Sequence, residues 1–497
     1  MVYFDKTLQD LLSSVEDLKT EVKSLRLENN QLKKENSKFK GEISKLQVEN
    51  KKLKDEITKL KESINKDSTN SSKPPSTDNS FREKETTKKN SKGLKKRGGQ
   101  IGGTTNNLKK VDNPNYTKII QHSNCTSCHH SLEGVDAHFV SIKQLFDIPK
   151  IKMEVTQFEF KTKICPCCQT KNVPEVPNGL GSYVQYGDNI KALVGYLNTH
   201  HMIPYERITE FVKDFTSHPM SSGTVYTILQ NFSDKLTPFE VKLKEKLLQS
   251  DVIHVDETGT NVAGKLYWSH TITTSILTYY AIHQKRGTLA MDSMEILPLY
   301  KGIMVHDHFK PYNNYNCTHS FCNAHLLREL RGVMQNEKVR WATDMHSLLT
   351  NMNNYIHTVK DNGKLSPSKG KIEQFFTQFD AICQSASKFY PPPANPTNSK
   401  RKQKQSKGKN LLDRFIAYKE ETLRFFTNLS VPFTNNLAEQ ALRMLKVKEK
   451  ISGCFASFTG AKIFNRIRSF ISTVKKNNLS VFEELCSVLQ GRVYMVD

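Results

Sequence analysis

Asp251-Val252-Ile253-His254-Val255-Asp256-Glu257-Thr258-Gly259 is an apolar run that ends in acid, and Gly302-Ile303-Met304-Val305-His306-Asp307 repeats the pattern. Val252–Val255 has the length and β-branched content of a short buried strand, and Gly302–His306 reads as another. Between them, Leu266–His270 and Ser275–Ile282 are rich in aromatic and β-branched residues and read as two further strands. A third acid lies far downstream in Asn435-Asn436-Leu437-Ala438-Glu439-Gln440-Ala441-Leu442-Arg443. Asn435 and Asn436 are both suited to cap a helix there, which puts Glu439 close to its N-terminus. Leu442 and Arg443 share the face of Glu439 at i+3 and i+4.

Three hairpin-linked strands followed by a connection to a fourth match the start of a ribonuclease-H-like α/β fold. In that arrangement the first and fourth strands are neighbours, so Asp256 and Asp307 meet at one sheet edge. Asn316–Asn323 then supplies a fifth strand, and Ala324–Leu330 begins a helix. Three carboxylates gathered there suit two divalent ions about 3.5–4 Å apart, one preparing a nucleophilic oxygen and one stabilising the leaving oxygen of a phosphodiester. Oxygen donors favour Mg²⁺ or Mn²⁺. The plainer reading is that each acid serves local hydrogen bonding at a strand end or helix start. Glu257 competes with Asp256 for the ligand role, while His306 and His308 flank Asp307.

The rest of the chain is basic, with 73 Lys+Arg against 50 Asp+Glu and a formal charge of +23 over 497 residues. That balance favours an anionic partner. No apolar run approaches the roughly eighteen residues of a membrane span, and no signal-peptide pattern is present, so a soluble cytoplasmic protein, nucleoid-associated and without a membrane partner, is the expectation. Ten cysteines are too few for a disulfide scaffold, and five of them lie between residues 125 and 168. Cys125-x2-Cys128 and Cys165-Pro166-Cys167-Cys168 give two pairs with the bite of zinc knuckles, so Cys125, Cys128, Cys165 and Cys168 are the expected ligands of one structural Zn²⁺. Cys167 is left as a bystander, with His129 and His130 as adjacent competitors.

The remaining organisation follows from periodicity and composition. Leu11, Leu18, Leu25, Leu32, Phe39, Leu46, Leu53 and Leu60 recur every seven residues, with Val15, Val22, Asn29, Asn36, Ile43, Asn50, Ile57 and Ile64 between them. Leu mostly at d, with β-branched residues or Asn at a, is the pattern of a parallel coiled-coil dimer over 1–66. A basic flexible tether follows over 67–112, where Lys95, Lys96 and Arg97 are candidate phosphate contacts. The zinc-binding region spans 113–180. Over 181–240 three short amphipathic helices resemble a helix-turn-helix module, with Ser221 or Ser222 capping the last. That helix would offer Ser222, Thr224, Tyr226 and Thr227 to DNA. The first part of the catalytic core spans 241–330. An α-helical insertion over 331–430 contains the helical runs Met345–Val359 and Ile372–Phe389 and a proline-rich, basic loop with Arg401, Lys402 and Lys404. The last segment, 431–497, holds the C-terminal helices of the core. The fold class is therefore multidomain α/β.

His254-Val255-Asp256-Glu257-Thr258, His306-Asp307, Cys322-Asn323-Ala324-His325-Leu326-Leu327-Arg328 and Asn436–Arg443 together resemble the insertion sequence 66 family of DDE transposases. Ser71-Ser72-Lys73-Pro74-Pro75-Ser76, Gly98-Gly99-Gln100 and the cysteine pairs carry the same resemblance, in family order from about residue 70 to about residue 480. It implies Asp256, Asp307 and Glu439 as the acidic triad and places Lys446, Lys448 and Gly453 in the lysine-rich turn after it. With Arg443, those lysines join the expected DNA contacts. It also implies cleavage at the ends of a mobile element and joining of its 3′ ends to target DNA. The expected partners are double-stranded DNA, a second copy or larger homo-oligomer, and accessory element-encoded proteins. Gly103 stands where the family usually has His, and Leu327 where it usually has Arg. Two other readings share these residues: a related nuclease that hydrolyses without strand transfer, and a zinc-bearing, zipper-dimerised DNA-binding protein without catalysis.

Overall fold

A two-residue hairpin at Ala263-Gly264, with φ of 49° and 78°, organises the sheet. Positive φ at both central residues matches the right-handed twist of the flanking strands, and glycine at the second position meets that requirement without strain. The computed structural model describes residues 2–64, 108–148, 152–177, 179–390 and 405–495. In chain order its elements begin with α1 (Val2–Ile64), β1 (Lys163–Ile164) and β2 (Lys171–Asn172). Next come α2 (Asp188–Gly195), which runs into a π-helical turn, α3 (Tyr205–Thr216), α4 (Ser222–Lys235) and α5 (Thr237–Leu248). The sheet strands are β3 (Val252–Val262), β4 (Lys265–Thr273), β5 (Thr278–His283), β6 (Ile303–His306) and β7 (Thr318–Phe321), with α6 (Thr288–Asp292) between β5 and β6. Helices α7 (Asn323–Asn336), α8 (Arg340–Asp361), α9 (Lys369–Phe389), α10 (Lys407–Ala417), α11 (Lys419–Thr427), α12 (Asn436–Ser452), α13 (Phe458–Lys476) and α14 (Val481–Leu489) follow.

The strands form one sheet in the order β5-β4-β3-β6-β7. β3 and β6 are parallel, as are β6 and β7, whereas β4 and β5 are antiparallel. One strand differs from expectation. β3 does not stop at Val255 but continues to Val262, so Asp256 lies within the strand and not at its exit. The reason is tertiary: the polar continuation Thr258-Gly259-Thr260-Asn261 gives little apolar signal, yet pairing across the hairpin with β4 extends it.

The chain divides into two compact units, and Asp256, Asp307 and Glu439 all belong to the first. That unit takes α1, Leu248–Asp256 and Ile296–Glu439. Its core joins Val305 and Phe321 of β6 and β7 to the buried faces of α7 to α11. Trp341, Met345, Leu348, Leu349, Met352, Ile356 and Val359 line one side of α8 at helical spacing. The two helical runs expected in the insertion fall inside α8 and α9. Close approach of β6 to the start of β3 requires Gly302, where a Cβ would lie 2.7 Å from the Asp251 carbonyl oxygen. Ile303 N donates to Asp251 O at 2.8 Å, and the Tyr300 hydroxyl lies 2.9 Å from Ser250 O. These contacts set the β3–β6 register.

The second unit comprises the described parts of Ser80–Leu247, Glu257–Glu295 and Gln440–Asp497. Here α13 is buried on nearly all sides, because β5 packs on one flank and α4 on another. Helices α2 to α5 therefore do not form a free-standing module. Arg466 of α13 pairs with Glu240 of α5, and Arg468 donates to Thr199 O at 3.2 Å. The expected capping is present: Ser221 Oγ accepts from Thr224 N at 3.0 Å.

Helix α1 carries its heptad apolar positions exposed, with Leu25 at 55% and Leu32 at 53%. A long helix leaves such a seam open only where another surface covers it. Substituting Leu25→Lys and Leu32→Lys together is expected to convert a self-associated chain to monomer in sedimentation equilibrium. A parent chain that already sediments as a monomer would exclude zipper pairing.

Candidate active site

The register of the parallel strands brings two of the acids level with one another. Val252 pairs with Ile303, Ile253 with Met304 and His254 with Val305. Continued two residues further, the same offset sets Asp256 opposite Asp307, at the carboxyl end of β6. Asp307 Oδ1 accepts a hydrogen bond from Phe309 N at 2.9 Å, which holds its carboxylate against the turn that follows.

Glu439 reaches this end of the sheet through Asn435. The Asn435 amide donates from Nδ2 to Val255 O at 2.8 Å and accepts at Oδ1 from His254 Nδ1 at 2.9 Å. Its backbone N–H meets Cys322 Sγ at 3.2 Å, and Cys322 N donates in turn to His306 O at 2.8 Å. One buried residue, through its side chain and its backbone N–H, thus ties the base of α12 to β3 and to the ends of β6 and β7. Glu439, whose N–H bonds Asn435 O at 3.2 Å, lies in the first turn of α12, about 6 Å further along the axis.

Around Glu439 stand two residues of α7. Its Oε1 lies 3.8 Å from His325 Nδ1 and 3.7 Å from an Arg328 guanidinium nitrogen. These separations are too long for hydrogen bonds. Glu439 Oε1, His325 Nδ1 and Arg328 Nε are all buried atoms without a hydrogen-bond partner. Burial, reinforced by the Arg328 charge, lowers the His325 pKa to about 4, so the imidazole is neutral at pH 7 and the nearby cation is Arg328. Burial raises the Cys322 thiol to about 11. Cys322, His325 and Glu439 bring their ligand atoms within 4.8 Å of one another. The group includes Glu439 but neither aspartate and none of the knuckle cysteines. In sequence, Cys322 and His325 stand out only within the stretch Cys322–Arg328 that carries the family resemblance, and nothing local links them to Glu439 more than a hundred residues away.

Asp256 and Glu257 project to opposite faces of β3. The Glu257 carboxylate is 1% exposed and lies 2.8 Å from an Arg286 nitrogen, while Arg286 stacks over Trp268 at 4.8 Å. Glu257 is thus held in a buried ion pair. His306 is neutral, its pKa lowered to about 3 by burial and then by His319, which lies 3.0 Å from its Nε2. His308 packs against Phe321 and Tyr418.

The expected DNA contacts are scattered. Lys95, Lys96, Arg97, Arg401, Lys402 and Lys404 lie outside the described residues. Ser222 is exposed, while Thr224 is half-buried and its hydroxyl lies 2.9 Å from Ser221 Oγ. Arg443 is exposed. Lys446 donates to Gly259 O and pairs with Glu449 at 2.8 Å, and Glu449 accepts from Asn261 N. Lys448 is buried, its ammonium 5.6 Å from the Phe464 ring centre, and burial lowers its pKa to about 8.

The two cysteine pairs have the same local backbone. His129 N donates to Cys125 O and Cys125 N to His130 O; Gln169 N donates to Cys165 O and Cys165 N to Thr170 O, all at 2.9 Å. His129 and Gln169 both take φ of 57°. This repeated left-handed residue after the second cysteine closes each knuckle. Hydrogen bonds from the Cys128 and Ser127 backbone lower the Cys125 pKa, and those from Thr170 lower Cys168 to about 7. The two pairs thus share one backbone shape, with the Cys125 and Cys168 thiols each shifted toward the thiolate.

A family model described as Transposase IS66 family matches residues 183–463. A second, a family of unknown function (DUF6444), matches residues 9–109. A comparison with curated protein sequences finds no match. The first span takes in Asp256, Asp307, Cys322, His325, Asn435 and Glu439.

Asn435→Ala removes the side-chain bonds that Asn435 makes to Val255 O and to His254 Nδ1 in the buried interior. At about 1–3 kcal/mol for each of the two bonds lost, stability is expected to fall by about 2–6 kcal/mol in urea unfolding.

Proposed function

Because the chain belongs to the transposase IS66 family, we propose that it cleaves phosphodiesters at the ends of a mobile element and transfers the 3′ ends to target DNA, with Asp256, Asp307 and Glu439 as its acidic triad. The observation that carries this reading is the parallel register of β3 and β6, which sets the two aspartates level, together with the Asn435 clamp that brings the first turn of α12 to the same strand end. The pairing of Glu257 with Arg286 leaves Asp256 as the acid of that dipeptide suited to metal.

The three carboxylates suit two Mg²⁺ or Mn²⁺ ions, and the buried Glu439 Oε1, without a hydrogen-bond donor, fits such a ligand. When bound, such ions supply Lewis acidity for in-line displacement at phosphorus. The protein's own contribution is positional. Phe309 N orients Asp307, and Asn435 sets the height of Glu439. An Arg328 guanidinium nitrogen stands 3.7 Å from Glu439 Oε1, and the imidazoles of His306 and His325 are neutral.

Around this centre the chain works on double-stranded DNA. Lys95, Lys96, Arg97, Arg401, Lys402 and Lys404 meet phosphates, as do Arg443 and Lys446, whereas Lys448, enclosed against Phe464, is withdrawn from the DNA contacts. Ser222 and Thr224 of α4 face DNA in a helix-turn-helix-like arrangement. Cys125, Cys128, Cys165 and Cys168 hold one structural Zn²⁺, a reading supported by the matched knuckle backbones. The exposed α1 seam supports pairing of copies as a homodimer or larger assembly, with accessory element-encoded proteins as further partners. No helix among the described residues is long and apolar enough to cross a membrane, in keeping with a cytoplasmic, nucleoid-associated role.

The decisive assay is 3′-end cleavage and joining on duplexes carrying the native element ends, with Mg²⁺. Asp256→Asn, Asp307→Asn and Glu439→Gln are each expected to lower activity by more than about a hundredfold, beyond the loss typical of an outer-shell partner. Cleavage without joining would identify a nuclease, and binding without either a non-catalytic DNA-binding protein. For the knuckles, Cys125→Ser and Cys165→Ser are each expected to lower bound zinc by one equivalent in elemental analysis. Unchanged zinc in both would rule out this ligand set.

A further inference from the structure

Beyond the acidic triad, the environment of Glu439 contains donors that magnesium chemistry does not use. Cys322 Sγ, His325 and Glu439 offer one sulfur, one nitrogen and one oxygen within 4.8 Å of one another. In a tetrahedral zinc site, bonds of about 2.0–2.3 Å put ligand atoms about 3.3–3.6 Å apart. The 3.8 Å between His325 Nδ1 and Glu439 Oε1 lies within a few tenths of an ångström of that spacing.

Two further observations point to an ion. His325 Nδ1 and Glu439 Oε1 are buried, too far apart to bond each other, and without other hydrogen-bond partners. Such atoms are costly to bury unless something satisfies them. Cys322 Sγ, for its part, receives the Asn435 N–H at 3.2 Å, and such donation stabilises a metal-bound thiolate. The fold gives each donor a firm seat: Cys322 precedes α7, His325 lies in its first turn, and Glu439 lies in the first turn of α12.

We propose that Cys322, His325 and Glu439 form a three-ligand site for a thiophilic divalent ion of the Zn²⁺ class, distinct in its donors from the site of the three acids but sharing Glu439 with it. Charge balances on binding. The ion's two positive charges meet the Glu439 carboxylate and the Cys322 thiolate, whose proton passes to solvent. Three protein ligands leave a fourth position open to water or to a phosphate oxygen. If the triad reading also holds, zinc here competes with magnesium for Glu439, and micromolar zinc inhibits cleavage.

The test is metal binding by the full chain, with Co²⁺ as the spectroscopic probe and zinc counted by elemental analysis after dialysis against buffered zinc. Cys322→Ser and His325→Gln are each expected to lower bound metal by one equivalent relative to the parent. Cys322→Ser should also remove part of the sulfur-to-cobalt charge-transfer band, while Cys125→Ser leaves that part in place. Far-ultraviolet circular dichroism and thermal melting identify any variant that fails to fold, and Cys322→Ala then repeats the measurement. Equal metal content in parent and folded Cys322 and His325 variants overturns the proposal. So does loss of the same equivalent in Asp256→Asn and Asp307→Asn but not in Cys322→Ser, because the ion then belongs to the acids. Failure of DNA cleavage with Mg²⁺ bears only on the transposase reading, since the cobalt signal needs no substrate.

Discussion

The Asn435 carboxamide is the contact on which the rest of the site depends. It gives its amide protons to Val255 O and its oxygen to His254, while its backbone N–H meets Cys322. Three segments that are distant in sequence, β3, the end of β7 and the start of α12, are thereby held at one level. Each group is buried, so losing any bond strands a polar atom away from water. That penalty makes the arrangement specific. A helix packed only through Ala438 and Leu442 could slide without leaving a polar group unpaired.

Electrostatics in this part of the first unit follow from burial more than from charge pairing. His306 and His325 are driven neutral by desolvation, and the Arg328 guanidinium stands by Glu439 at a separation too long for a hydrogen bond. A carboxylate oxygen in that position is incompletely satisfied. This condition suits a metal ligand poorly served by its own protein, and it supports both the magnesium reading and the thiophilic one. Glu257 shows the opposite condition: its carboxylate is buried and engaged by Arg286, which stacks on Trp268. Adjacent acids in one strand therefore have different chemistry because strand geometry turns them to different faces.

Much of the fold was legible where one periodicity dominates. The apolar runs gave β3 and β6, the 3.6-residue pattern of Met345, Leu349, Met352 and Ile356 gave α8, and the heptads gave α1 as one continuous helix. The polar half of β3 was not legible, since Thr258 to Asn261 become a strand through pairing and not through their own pattern. Nor was the union of α2 to α5 with α13: local amphipathicity says that each helix has a buried face but not what covers it. The lysines show the same limit, because Lys448 reads as an exposed cation in sequence and is enclosed against Phe464 in the fold.

The sequence by itself determined that acids end two apolar runs in a basic chain, that a third acid opens a later helix, and that cysteines recur in knuckle-spaced pairs. These are local properties, set by neighbours within a few residues. Only the tertiary structure decided that Asp256 stands level with Asp307, that Glu257 is committed to Arg286, and that Glu439 shares its surroundings with Cys322 and His325. Those relations depend on strand register and on one buried asparagine. Both are selected by the cost of leaving polar groups unpaired in the folded interior, a cost that no local stretch of chain can express.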